Sequence, residues 1–108
     1  MAKVYVIQET NHQFSLAESF GELVFLSVDR RDDFHNISKS EHNERLIAHL
    51  RYGLREFDQE VDFVVPVGSP YMQAAVFWIL GDKGVRRLNL LRWDNRDRVY
   101  IPLQLNLN

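Results

Sequence analysis

Apolar positions along the chain fall into two kinds of run, and their spacing separates strands from helices. KVYVIQ (3–8), ELVFLSV (22–28), DFVVPV (62–67) and RLNLLRW (87–93) are short apolar runs bounded by polar or turn residues. Runs of this length, rich in β-branched and aromatic side chains, read as strands. The first two are nearly continuous, as expected where both faces of a parallel strand are covered. DRVYIPLQL (97–105) alternates instead, with Val99, Ile101, Leu103 and Leu105 on one face and Tyr100, Pro102 and Gln104 on the other. Alternation together with an internal proline marks an edge strand, and the DNRD turn before it predicts a hairpin.

Two stretches carry helical spacing. Within 39–57, Leu46, Ile47, Leu50, Leu54 and Phe57 form one stripe of an amphipathic helix. Ser38 and Glu41 are spaced as a capping box at its start. Its other face, with His42, Glu44, Arg45, His49, Arg51 and Arg55, reads as solvated. The second helix is expected from Pro70 to about Gly81, with Ser69 as cap, proline at its first position and Asp82-Lys83-Gly84 as its stop. Residues 9–21 hold a short helix at most, with Ser15 to cap it and Gly21 to end it. Residues 29–38 are polar and patternless, and read as a solvated loop.

Strands alternating with helices predict one α/β domain over residues 1–108. Right-handed crossovers place the first strand between the second and third, in a mostly parallel flavodoxin-like or Rossmann-like sheet. That sheet has about five strands and ends in an antiparallel edge hairpin. Pro66 fits only at the end of its strand, past the ladder, because a central strand needs its N–H.

Composition narrows the class. Of 108 residues, 45% are hydrophobic and 26% charged, which suits a folded globular protein. A formal charge of −2 argues against a whole-molecule nucleic-acid binder. The lack of cysteine removes disulfides, thiolate metal sites and cysteine nucleophiles. The opening MAKVYVIQET has one lysine and a four-residue apolar run, too short for a signal peptide. No apolar stretch approaches a membrane span, so the expectation is a soluble intracellular domain.

Both ends of the chain carry a further pattern. NHQFSLAESFGELVFLS and GVRRLNLLRWDNRDRVY resemble a family of small proteins encoded by tailed bacteriophages. Its members read H-x-F-x-x-A-x-x-F-G-x-L-V-F-L-S and R-L-N-L-L, matched here by His12, Phe14, Ala17, Phe20, Gly21, Leu23 to Ser27, and Arg87 to Leu91. After Ser27 the chain reads VDRRDDFHN, where relatives continue with a Gly-rich and Asn-Arg segment. The resemblance implies no activity. It implies a viral accessory protein in the cytoplasm of an infected bacterium.

Candidate chemistry gathers where parallel strands end. A crevice beyond the first and third strands would be lined by Gln8 to His12 and by Gly68-Ser69-Pro70. A helix starting there turns N–H groups and a positive dipole end toward a small anion. Asn11, His12, Gly68, Ser69 and Pro70 are therefore the candidate ligand residues, although Ser-Pro is also an ordinary helix start. No phosphate-loop or dinucleotide fingerprint is present, and plain capping is the preferred reading. A nucleotide-binding or nucleotide-cleaving enzyme at this crevice is the runner-up; it would pair His12 with Ser69 and Asp29, without the strained elbow motif. No catalytic residue is assigned.

His42 and His49 stand two turns apart, too far for a metal pair, and no cofactor is expected. Arg92, Trp93, Arg96 and Arg98 suggest a weak nucleic-acid ribbon. A hairpin edge protected by charge is preferred. The helix MQAAVFWIL has one polar residue, so it should be buried all round. A homodimer covering Met72, Phe77 and Trp78 is the expected solution. Function is read as binding of a host or phage macromolecule, or of a small anion, rather than catalysis.

Overall fold

A strand that is apolar on both sides belongs in the middle of a sheet. In the computed structural model, which describes residues 1–10, 13–29 and 31–107 and only the backbone of Lys39, strand β1 (Lys3–Val6) takes that place. It pairs in parallel with β2 (Glu22–Phe25) on one side and β3 (Phe63–Val65) on the other. β4 (Arg87–Asp94) follows in parallel, and β5 (Val99–Asn106) returns antiparallel to it. The order is β2-β1-β3-β4-β5, a mostly parallel α/β sheet with an antiparallel C-terminal pair, as the crossover rule anticipates. β3 stops at Val65, so Pro66 falls just past the ladder as its missing N–H requires. β2 is only partly buried, because it is an outer strand and not one covered on both faces.

The two faces of the sheet are covered unequally. α1 (Ser40–Gly53) and α2 (Pro70–Asp82) both pack on the face that carries Tyr5, Ile7, Leu26 and Val64. The expected stripe performs this contact, with Leu46, Leu50 and Leu54 buried against Met72, Val76 and Leu80. The other face carries Val4, Val6, Val65, Leu91 and Tyr100. A short 3₁₀ segment, Ser15–Phe20, covers part of it through Phe14 and Ala17. Gly21 ends this segment beside β1, where a Cβ would stand 2.6 Å from the Ala2 carbonyl oxygen.

Three local expectations change. The Ser38–Glu41 capping box is not the start of α1. Ser38 lies within a 3₁₀ turn, Ile37–Lys39, and its hydroxyl donates to the Asn36 side chain. Ser15 is the first residue of its segment rather than a cap, since no side chain caps it. α2 is not buried all round: one flank is exposed, with Tyr71 67% and Trp78 77% accessible. Mean composition cannot distinguish a helix buried on all sides from one with an apolar outer flank.

The outer strand β5 shows how its proline is tolerated. Pro102 stands opposite Leu91 on β4, a position it can hold only if its nitrogen points away from that neighbour. The missing donor therefore lies on the open edge of the sheet.

Candidate functional site

The crevice beyond β1 and β3 is already filled, by Gln8. This residue is 2% exposed, and its side-chain oxygen accepts the Ser69 N–H at 2.8 Å. Its amide donates to the carbonyls of Asp29 at 3.2 Å and Asp32 at 2.6 Å. One side chain thus joins the end of β1, the loop after β2 and the start of α2, with its donors and acceptor all used. Gly68 makes room for it: a Cβ there would lie 2.5 Å from the Gln8 Cβ, on a backbone with φ of +105°.

Ser69 caps α2, its hydroxyl accepting the Tyr71 N–H at 3.1 Å. Gln73 adds a bond from its side chain to the Gly68 carbonyl at 2.9 Å. Pro70 has no N–H to offer. The N–H groups of Ser69 and Tyr71 are therefore engaged within the chain, and the geometry at Gly68-Ser69-Pro70 is that of a helix start. Asn11 and His12, the other two ligand candidates, lie outside the described residues. Of the proposed nucleophile, base and acid, Ser69 serves as a cap, and Asp29 accepts from the backbone and side chain of Arg31.

Two of the remaining histidines hold backbone, and the third, His35, packs its ring edge to face on His42. His42 Nε2 contacts the Asp33 carbonyl at 3.0 Å, and His49 Nε2 contacts the Leu26 carbonyl at 2.9 Å. With Asn43 bonded to both the N–H and the carbonyl of His35, they fasten the loop after β2 onto α1. That loop is more structured than its polar sequence suggests, and Phe34 within it packs against the core. Among the described residues no group of histidines and carboxylates is placed to hold a metal.

The hairpin separates its arginines from its aromatic rings. Trp93 and Tyr100 stand opposite each other on the face away from the helices and pack edge to face, with centroids 5.0 Å apart. Tyr100 is 6% exposed, and burial pushes its phenol up. Arg92 belongs to the opposite face, beside Ile101, while Arg96 and Arg98 lie in the turn. The interleaving of arginine with aromatic residues along the sequence is thus not an interleaving in space, and no aromatic platform lies between the cations.

Two of the surface hollows among the described residues bear on these expectations. Between α1 and α2 an open apolar hollow of about 540 Å³ is lined by Phe34, Ile47, Tyr71, Ala74 and Trp78. Of the three residues expected at an interface, Met72 is fully buried in the chain's own core, which corrects its assignment to an outer face. Phe77 is half-buried against that core, and Trp78 alone stands exposed. On the other face a groove of about 370 Å³ runs between the segment at Phe14 and the hairpin at Trp93 and Tyr100, floored by Val65 and Leu91. Sequence reasoning missed this groove. It exists because a short segment stands where a full helix would cover the sheet, and only the shortness of residues 9–21 hinted at that.

These contacts make two predictions. Ser69→Ala should cost about 0.5–2 kcal/mol in urea unfolding, the ordinary loss of an N-cap; an unchanged midpoint would contradict the capping role. Gly68→Ala should destabilise through both its clash with Gln8 and its positive φ. Gln8→Ala would keep the Cβ that stands 2.5 Å away, so the background that removes the clash is Gln8→Gly, in which the backbone strain at position 68 remains, about 1–2 kcal/mol. A double-mutant cycle should therefore show strong coupling between these two positions, and additive losses would mean that Gly68 does not serve Gln8.

No curated protein and no solved structure matches this chain. A family model does match, over residues 2–107, and its description is Phage Pam3 gp32-like protein. That span takes in all five strands and both helices. A phage protein family, the coarser part of the resemblance, is thus shown: the chain belongs to the Phage Pam3 gp32-like protein family.

Proposed function

We propose that this phage protein acts by binding in the infected cell, as a homodimer that presents its remaining surfaces to a host or phage macromolecule. The observation that carries the reading is the exposed aromatic flank of α2. Tyr71 and Trp78 stand free on a helix whose other side is core. Exposed apolar patches of this kind are characteristic of interaction sites, and tryptophan and tyrosine are the side chains that most often anchor them.

A second copy suits this flank because the surface has both parts of a self-complementary contact. Trp78 projects from it, and the hollow lined by Ile47, Tyr71 and Ala74 lies directly beside it. A two-fold axis lets each indole enter the hollow of the other copy. The charges at the rim favour such pairing, since Arg51 and Asp82 neutralise each other at 3.0 Å. The anion-binding reading has less support, because Gln8 and Ser69 already accept the N–H groups of Ser69 and Tyr71 at that turn.

Sedimentation at micromolar concentration should report twice the chain mass of 12.8 kDa. Trp78→Glu should give a folded monomer, since the side chain is 77% exposed and contributes little to the core. A wild-type monomer, or a Trp78→Glu protein that remains dimeric, would remove the α2 flank from the account.

A further inference from the structure

The sheet has five strands, but its helical layer stops short of the last one. Leu88 and Leu90 of β4 pack under the helices. Their partners across the ladder are Leu105 and Leu103, with Ile101 opposite Arg92 and Val99 opposite Asp94. Directly paired residues share a face, so Val99, Ile101, Leu103 and Leu105 form an apolar stripe on the helical side. None of the four joins either core cluster. Val99 is 45% and Leu105 53% exposed. This is the place a third helix would take in the layer, next to α2.

We propose that this stripe is the docking site for an amphipathic helix of a partner protein, one that carries carboxylates beside its apolar side. The length is suitable: six steps from Val99 to Leu105 span about 20 Å, or roughly 13 residues of helix. The charge comes from the hairpin end. Arg92 is exposed on the same face as the stripe, and Arg96 and Arg98 are exposed in the adjoining turn. Among the described residues no ion pair engages any of the three. Their counter-charges are Asp94 and Asp97. Asp94 accepts the N–H groups of Arg96 and Asp97 and keeps its charge, so three arginines against two aspartates leave this end with an excess of one positive charge.

A face-on helix fits better than an added strand, because Pro102 leaves a gap in the donors of the open edge. A protein fits better than a nucleic acid, because the side chains between the arginines and the end of the stripe are aliphatic. The aromatic pair Trp93 and Tyr100 lies on the other face. This inference rests on the binding reading but not on the dimer. The two surfaces are tested by different variants, so either can fail alone.

The probes are synthetic helical peptides of about 13 residues, with leucines at helical spacing and a flank of either glutamates or lysines. A third peptide keeps the glutamates and scrambles the leucines. Amide-resolved NMR on the full chain should show the acidic peptide shifting residues 88–92 and 99–105. Arg92→Glu combined with Arg96→Glu, both exposed, should reverse the preference toward the lysine peptide. Val99→Thr combined with Leu105→Thr should weaken binding roughly tenfold, the loss expected from about 1–2 kcal/mol of apolar contact.

The proposal is overturned if none of the peptides binds, if the glutamate and lysine peptides bind alike, or if the scrambled peptide binds as well as the ordered one. Shifts centred on Trp78 would also overturn it. So would a single-stranded oligonucleotide that displaces the acidic peptide at lower concentration, or stripe resonances that already report contact with a second copy.

Discussion

One buried amide holds the carboxyl end of this sheet together. Gln8 leaves β1 at the point where the parallel strands finish, and its side-chain nitrogen and oxygen reach two segments far apart in the chain. Burying a polar side chain is favourable only when its donors and acceptors are satisfied, so the loop after β2 and the turn before α2 must both come to it. Gly68 has no side chain because Gln8 needs the space, and the backbone at Ser69 turns inward to meet its oxygen. The position that often receives a ligand in parallel α/β sheets is here occupied by the protein itself.

The uneven cover of the two faces explains where the surface features lie. Long connections between β2, β3 and β4 send two helices to one side, and the short connection between β1 and β2 sends only a small segment to the other. The first side gains a firm core under β1, β3 and β4, but its layer ends before β5. The second side is left with a groove between Phe14 and the Trp93–Tyr100 pair. The surfaces available for contact thus follow from connection length.

Local chemistry explains what could be read from the chain. Ser69 and Pro70 announce a helix start through residues adjacent to it, and the stripe from Leu46 to Leu54 states its own period. β5 shows its two faces by alternation, and its partner by the turn before it. The role of Gln8 had no such signal, because the Ser69 N–H it accepts lies 61 residues away. The Ser38–Glu41 spacing was a true motif in the wrong place, since a 3₁₀ turn occupies the position where the cap would stand. For α2, apolar composition identified an unusual helix without telling which side turned outward, and Met72 and Trp78 ended on opposite sides of that division.

The placement of Pro102 has a consequence for how copies of this chain can associate. A sheet grows sideways by lending its outermost N–H and C=O groups to a new strand, and repeated lending of this kind builds fibres. At one margin the proline interrupts the row of donors in the middle of β5. At the other, β2 offers only four residues. Lateral growth by strand addition is therefore discouraged at both margins, which leaves the side-chain surfaces, and not the backbone edges, as the parts of the sheet open to contact.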